Sequence, residues 1–145
     1  MSRFWVGVAN REHVLAAVRG GFCQLNHGKE APVGRLKKGD RIVYYSPRER
    51  MRGGESLQAF TAAGRIVDEV PYQVEQSKDF RPFRRKTEYF KGNDAPIRPL
   101  LEELSFTEGR SDWGARFRRG VFQMKREDYM KIAMCMGISF EESAE

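Results

Sequence analysis

The stretch RIVYYSPRERMRGGESLQAFTAAGRIVDEV, residues 41–70, indicates the fold most clearly. Residues 41–45 are rich in β-branched and aromatic side chains and predict a strand, which Ser46-Pro47 is expected to end. The charged, glycine-rich residues 48–55 predict a hairpin tip, and residues 57–70 predict a second, longer strand. A long β-hairpin is therefore expected in this part of the chain.

Shorter elements are predicted on both sides of the hairpin. Strands or extended segments are expected at residues 4–9, 22–25, 80–90 and 120–124, and helices at residues 11–18, 96–104 and 125–136. Asn10 is expected to cap the first helix, which would bury Val14, Leu15 and Val18. This order of elements predicts an α+β fold. We expect a curled or barrel-like sheet of about five to six mostly antiparallel strands with flanking helices.

Composition and charge narrow the class of protein. A chain of 145 residues with 40% hydrophobic and 32% charged residues is typical of one soluble domain. No apolar run is long enough for a membrane span, and no secretory signal is evident, so a cytoplasmic protein is predicted. The two cysteines are too few for a disulfide framework.

The charge is distributed unevenly along the chain. The formal net charge is +6, but residues 127–145 carry −4, which leaves +10 on residues 1–126. Such a basic body favours a polyanionic partner, because phosphate contacts release counterions. The alternative is a basic bacterial protein without such a partner.

The segment GGFCQLNHGK, residues 20–29, concentrates side chains that carry chemistry. Side-chain amides can pair with a base edge, Gly28 permits close approach of a backbone to a ligand, and Lys29 is a candidate phosphate contact. Two alternatives stand beside this interpretation. One is a polar loop around a buried Cys23, and the other is a Cys23 nucleophile with His27 as its base.

Metal and cofactor sites are not predicted. Cys23, His27, His13 and Cys135 lack the spacing of a zinc site, and no P-loop or G-x-G-x-x-G motif is present. Cys135 is interpreted as a core thiol of the last helix.

Two further segments interleave arginine with large aromatic side chains. They are RPFRRK, residues 81–86, and SDWGARFRR, residues 111–119. Arginine contacts phosphate and stacks on bases, and an aromatic ring offers a base a π-face. Each aromatic could equally be a core residue, but two such segments in one small basic domain favour nucleic acid.

These segments, taken in order, resemble the EVE domain, a PUA-like module of the UPF0310 family. The resemblance rests on the Phe4-Trp5 strand ending in Asn10, CQLNHGK at 23–29, Gly39-Asp40, YYSP at 44–47, the strand at 60–67, PFRR at 82–85, the helix at 99–104, Trp113-Gly114 and Arg119-Gly120. It runs from about Phe4 to Gly137. One domain is therefore expected over residues 1–137, followed by an acidic C-terminal tail over residues 138–145.

The resemblance implies a PUA-like curled β-barrel similar to YTH domains. It also implies a non-catalytic module that binds a modified base of DNA or RNA, flipped into an aromatic-lined cleft. Methylated or hydroxymethylated cytosine is the leading candidate. The alternatives are an enzyme acting on a base or RNA through Cys23 and His27, and a small-molecule or nucleotide sensor that uses the same cleft.

Site residues follow from the resemblance and from the side-chain chemistry. Asn10 and Gln24 are expected to contact base edges, and Phe83 and Trp113 to stack on the base. The expected base or ligand contacts are Asn10, Phe22, Cys23, Gln24, Asn26, His27, Gly28, Ser46, Phe83 and Trp113. The expected phosphate contacts are Lys29, Arg84, Arg85, Arg118 and Arg119.

Overall fold

Eight strands and three helices form in residues 2–139, the part of the chain that the computed structural model describes. The strands are β1 (Phe4–Val8), β2 (Phe22–Cys23), β3 (Arg41–Arg48), β4 (Ser56–Ile66), β5 (Tyr72–Gln73), β6 (Phe83–Tyr89), β7 (Ala95–Pro96) and β8 (Val121–Met124). The helices are α1 (Arg11–Gly20), α2 (Glu30–Gly34) and α3 (Arg126–Cys135), with 3₁₀ turns at Asn26–Gly28, Arg98–Leu100 and Trp113–Arg119.

The strands form one mixed sheet in the order β2-β6-β4-β3-β1-β8, with β5 beside β6 and β7 beside β4. The β1–β3 pair is parallel, and the other strand pairs within residues 2–139 are antiparallel. The sheet curls into a half-barrel with flanking helices. The predicted α+β fold with a curled, mostly antiparallel sheet is confirmed.

Both faces of the sheet are covered, so neighbouring residues of one strand enter different cores. Tyr44 packs with α1, α2 and β2, whereas Tyr45 packs with α3 and the segment 98–119. Trp5 and Val6 of β1 are divided between the two cores in the same way. This alternation places the two tyrosines in different cores.

The prediction for the first helix is wrong in its details. Val14 and Ala17 face the sheet, while Leu15 and Val18 are 45% and 40% exposed. A short helix covers the sheet with one narrow stripe, and the i, i+3 pair Val14 and Ala17 forms that stripe. The helix continues to Gly20, and Gly21 ends it with a φ of 68°.

The predicted ends of the hairpin strands are also wrong. β3 continues through Ser46-Pro47 to Arg48, because β4 carries an extra residue opposite this point and Pro47 needs no ladder partner. The register steps from Ser46 opposite Ala59 to Arg48 opposite Ser56. β4 ends at Ile66 rather than at residue 70. Beyond it, Asp68 turns back to bind Arg85.

Three other expectations need correction or fall outside the described residues. Residues 96–104 contain a 3₁₀ turn rather than a helix. Cys135 is exposed, because α3 packs through Tyr129, Ile132 and Ala133 on its other side. Ile138, expected in the tail, packs into the core, and residues 140–145 lie outside the described part. No helix between residues 2 and 139 combines the length and apolar character needed to span a bilayer.

Candidate nucleic-acid interface

A cleft of about 420 Å³, here called the main cleft, opens at the carboxyl end of β1. Its walls come from the β1–α1 connection, the segment after β2, the β3–β4 hairpin tip, the loop before β6 and the turn before β8. The lining residues are Val8, Ala9, Asn10, His13, Gln24, Asn26, His27, Met51, Gln76, Phe80, Phe117, Arg118 and Gly120.

Asn10 has two roles in this wall. As the N-cap of α1, its Oδ1 accepts a hydrogen bond of 2.9 Å from the backbone N–H of His13. Because the carboxamide oxygen is committed to the helix, the Asn10 amino group is the part of the side chain that can serve a ligand. It can only donate.

Gln24 is fixed by an equivalent arrangement. Arg84 Nε donates to Gln24 Oε1 at 2.9 Å, which assigns the oxygen of this carboxamide to the guanidinium. The backbone of Gln24 exchanges two hydrogen bonds with the buried Tyr44 hydroxyl, at 3.0 and 2.9 Å. The Gln24 amino group is therefore a second positioned donor in the main cleft.

The guanidinium of Arg84 lies over the ring of Phe22, with its Cζ 3.7 Å from the ring centroid. A second nitrogen of the guanidinium donates to Gln76 Oε1 at 3.1 Å. Burial lowers the pKa of Arg84, against the raising effect of Tyr72 and Tyr44. Arg84 thus links two amide side chains of the cleft wall and covers Phe22.

The turn at Asn26–Gly28 is strained. Asn26, His27 and Gly28 have φ values of 44°, 61° and 80°, and left-handed backbone is unfavourable for the first two. The side chain of Asn26 packs so closely on Gly120 that a Cβ at position 120 would lie 1.8 Å from its Oδ1. Strain of this kind concentrates at functional sites.

His13 supplies an imidazole to the same wall. Burial lowers the pKa of His13, and the charge of Arg84 lowers it further. A hydrogen bond with the Gln24 backbone raises this pKa and so opposes the other two effects. The rings of Phe22 and Tyr44 meet the imidazole edge-on, with centroids 6.5 and 6.2 Å away. His13 is therefore neutral near pH 7 and has one acceptor nitrogen.

A smaller cleft of about 250 Å³, here called the Trp113 cleft, adjoins the main cleft. It is lined by Val8, Tyr45, Pro47, Gln58, Trp113, Gly114, Phe117 and Arg118. Tyr45 stacks on Phe117 with centroids 4.1 Å apart, and Trp113 meets Phe117 edge-on at 6.4 Å. The two clefts share Val8, Phe117 and Arg118.

The structure brings some of the expected base contacts together and not others. Asn10, Gln24, Asn26 and His27 line the main cleft. Trp113 lines the neighbouring cleft. The expected contacts that line neither cleft are Phe22, Cys23, Gly28, Ser46 and Phe83.

Each of these five residues has a structural role elsewhere. Phe22 lies beneath Arg84, and Phe83 packs against the core on the α1 side. Ser46 is buried and shares a hydrogen bond of 2.7 Å with Thr61. At Gly28 the close approach is to Pro82, 2.3 Å from where a Cβ would lie, rather than to a ligand.

Cys23, the fifth of these residues, is fully buried. Burial raises the pKa of its thiol to about 12, against the lowering effects of Tyr44 and Arg85. A thiol that stays protonated at neutral pH is a poor nucleophile, so this position gives no support to Cys23 catalysis. Among residues 2–139, no three His, Cys, Asp or Glu side chains cluster as metal ligands would.

The expected phosphate contacts include both exposed and buried side chains. Lys29, Arg118 and Arg119 are exposed, and Arg118 lines both clefts. Arg85, by contrast, is buried. Its guanidinium donates to Asp68 Oδ1 at 2.7 Å and to the backbone carbonyls of Val33, Leu36 and Asp68.

Several cleft residues were not predicted from the sequence. The sequence indicates no role for His13 apart from a metal site that its spacing does not support, although the Asn10 cap places it one turn into α1 beside the main cleft. Phe117 lies within the aromatic and basic segment 111–119, and Phe80 directly precedes the segment 81–86, but neither is among the expected site residues. Met51, Gln58 and Gln76 reach the clefts from loops and a bulge, for which the sequence contains no signal.

Solved structures define the class of this fold. The YTH domain-containing protein mmi1, solved as an RNA complex, aligns with a TM-score of 0.61 over 93% of this chain and 81% of that chain, at 8% identity. Protein Atu2648 from Agrobacterium tumefaciens aligns with a TM-score of 0.59 over 97% of both chains, at 10% identity. The fold is of the YTH and PUA-like class.

Sequence comparison defines the family. The EVE domain model matches residues 3–135. A UPF0310 protein of Mesorhizobium japonicum is 48% identical over 139 residues, which cover 94% of this chain and 93% of that protein. The chain belongs to the EVE domain family, and the resemblance inferred from its motifs is confirmed.

Proposed function

We propose that this domain binds nucleic acid and holds one modified base, flipped out of its stack, in the main cleft. The hydrogen-bonding edge of this base is that of cytosine. The proposal rests on one observation: two carboxamide oxygens in the cleft already accept hydrogen bonds from the protein itself. Asn10 Oδ1 accepts from the His13 N–H, and Gln24 Oε1 accepts from Arg84. Both side chains therefore offer N–H donors to the occupant of the cleft.

Two donors favour a base edge with two acceptors. The pairing edge of cytosine has acceptors at O2 and N3 beside the donor amine at N4, whereas that of adenine has one ring acceptor beside a donor amine. Neutral His13 provides an acceptor that suits the N4 amine. A cleft with two donors and one acceptor thus supports cytosine over adenine.

The apolar part of the cleft supports selection of a modified base. Val8, Ala9, Phe80 and Phe117 line it alongside the polar groups. Burial of one methyl group contributes about 1 kcal/mol, which corresponds to roughly fivefold in affinity. We therefore expect a modest preference for a methylated base over its unmodified parent.

Affinity for the strand itself is attributed to exposed cations at the cleft. Arg118 lies between the two clefts and has no carboxylate within ion-pair distance among residues 2–139. Arg119 and Lys29 are exposed on adjacent turns. Phosphate contacts of this kind make binding depend on salt, and they offset the few kcal/mol needed to flip a base.

The test is fluorescence polarisation with labelled single-stranded 12-mers of DNA and RNA. Each strand carries one central cytosine, 5-methylcytosine, 5-hydroxymethylcytosine, adenine or N6-methyladenine, and each is measured at two salt concentrations. Tightest, salt-dependent binding to a modified cytosine strand is the expected result. Equal affinity for all strands would overturn base recognition. Salt-independent binding of the free nucleoside, as tight as that of the strand, would indicate a small-molecule sensor instead.

A further inference from the structure

Three residues other than glycine have positive φ within residues 2–139, namely Asn26, His27 and Gln58, and all three line a cleft. Asn26 and His27 belong to the main cleft. Gln58 belongs to the Trp113 cleft, with a φ of 51°. Left-handed backbone at glutamine persists only where the surroundings impose it, and such strain concentrates at functional sites.

The strain at Gln58 has a visible cause in the sheet. β4 carries an extra residue opposite Pro47, and the carbonyl of Gln58 accepts a hydrogen bond of 3.0 Å from the N–H of Ile97. The bulge interrupts the ladder and aims the Gln58 side chain at the cleft formed with Tyr45 and Trp113. A plain strand at this position would not place an amide beside the aromatic rings.

The chemistry of the Trp113 cleft suits a flat ring. Its walls are the rings of Tyr45, Trp113 and Phe117, and Gln58 adds a donor and an acceptor. The guanidinium of Arg98 lies 5.9 Å from the Trp113 ring centroid, and Arg118 completes the rim. Burial raises the pKa of Tyr45 to about 12, against the charge of Arg98, so its hydroxyl remains a donor.

We propose that the Trp113 cleft binds the base of the nucleotide next to the flipped one, stacked on Trp113 and contacted at its edge by Gln58. This inference rests on the proposed function of the main cleft. Its support is the shared wall, because Val8, Phe117 and Arg118 line both clefts. The occupants of the two clefts are then neighbours on one strand, with Arg118 beside the phosphate that joins them.

The experiment compares strands that differ only beside the modified base. Single-stranded 12-mers carry one central 5-methylcytosine and an abasic site on its 5′ side, on its 3′ side or nowhere. For the wild-type domain, one of the two abasic strands is expected to bind about tenfold more weakly than the intact strand. The Trp113→Ala variant is expected to bind all three strands with the lower affinity.

The chain offers a matched control for Trp113. Phe90 is also a half-buried aromatic with an arginine over its ring, since Arg41 Cζ lies 5.8 Å from its centroid, but it lines neither cleft. Phe90→Ala is expected to retain the wild-type difference between intact and abasic strands. Thermal melting identifies any variant that does not fold.

A readout on the unmodified domain does not depend on any variant. Trp113 is half-buried, whereas Trp5, the other tryptophan, is 4% exposed and donates to Asp40. Tryptophan emission should therefore change when the intact strand binds and stay unchanged with the weaker abasic strand at saturation. Equal affinity of all three strands, with the 5-methylcytosine preference retained, would overturn the second site alone. Absence of binding to every strand would overturn the proposed function as well.

Discussion

The hydroxyl of Tyr44 forms two hydrogen bonds with the backbone of Gln24, accepting from its N–H at 3.0 Å and donating to its carbonyl at 2.9 Å. The hydroxyl is fully buried, so it holds the Gln24 backbone in place beneath the cleft. Tyr89 adds a bond of 2.7 Å to the carbonyl of Phe22, two residues earlier. Two strands of the sheet thus position the short segment that presents Gln24.

Removing the Tyr44 hydroxyl should destabilise the domain. We expect Tyr44→Phe to lower the free energy of unfolding by about 1–3 kcal/mol, because buried backbone groups of Gln24 lose their partner. Urea denaturation measures the change. Tyr45→Phe is the matched control, since the Tyr45 hydroxyl makes no hydrogen bond within residues 2–139. Equal effects of the two substitutions would contradict the role of Tyr44.

Two isosteric variants test the donors in the main cleft. Asn10→Asp keeps the oxygen that caps α1, and Gln24→Glu keeps the oxygen that Arg84 binds, but each replaces an amino donor with an oxygen. We expect thermal stability to be retained and affinity for 5-methylcytosine strands to fall by about 1–3 kcal/mol. Polarisation titration measures the affinity. Unchanged affinity in both variants would exclude donation by these side chains.

Arg85 and Arg118 should differ in what they stabilise. The Arg85 guanidinium is buried in an ion pair with Asp68, and Arg85→Ala is expected to cost about 3–5 kcal/mol in stability. Arg118→Ala should leave stability within about 0.5 kcal/mol, since its side chain is exposed. It should instead reduce the salt dependence of strand binding by about one phosphate contact. An unchanged salt slope for the Arg118 variant would remove it from the phosphate contacts.

His13 should make stability depend on pH. Burial lowers the pKa of His13 in the folded domain. As the pH falls, the unfolded chain, with an ordinary histidine pKa near 6.5, therefore takes up a proton on His13 at a higher pH than the folded domain does. The contribution of His13 is complete above about pH 6.5 and is lost as the pH falls through the lowered pKa. Arg84 is the charged group that acts on His13, and Phe22 and Tyr44 face it with uncharged rings. Denaturation between pH 5 and pH 8 should show this slope in the wild type but not in His13→Gln.

Gln58 gives a prediction of opposite sign. Because its φ is 51°, Gln58→Gly should relieve backbone strain and raise stability by up to about 1 kcal/mol. Leu57→Gly, at the preceding position without positive φ, should lower stability by about 0.5–1 kcal/mol. Thermal melting of the two variants measures the difference. Destabilisation of similar size in both would show that position 58 is unstrained.

The elements predicted from the sequence are those whose side-chain pattern is local. The strand at residues 41–45 is predicted from its β-branched and aromatic side chains, and a helix is predicted over residues 125–136. Both elements are confirmed. The end of β3 was not predictable, because the bulge in β4 that admits Pro47 depends on strand pairing. Likewise, the exposure of Leu15 depends on which stripe of α1 meets the sheet.

The candidate site could be predicted only in part, because the direction of its side chains also depends on strand pairing. Asn10 and Gln24 stand out as amides next to a strand, and the structure places both in the main cleft. Arg84 and Arg85 are adjacent in sequence and have the same side chain, but alternation along β6 places one over Phe22 and buries the other beside Asp68. The direction of each side chain requires the register of β6 against β2 and β4, which local sequence does not specify.

The packing of Asn26 on Gly120 links two turns that are far apart in the chain. A side chain at position 120 would occupy the volume that the Asn26 carboxamide now fills. In an alignment of EVE domains, the two positions should therefore covary: a chain with a larger residue at the position of Gly120 should have a smaller one at that of Asn26. Grafting either turn alone into a relative that differs at the other position should give a domain that folds poorly until its partner is exchanged.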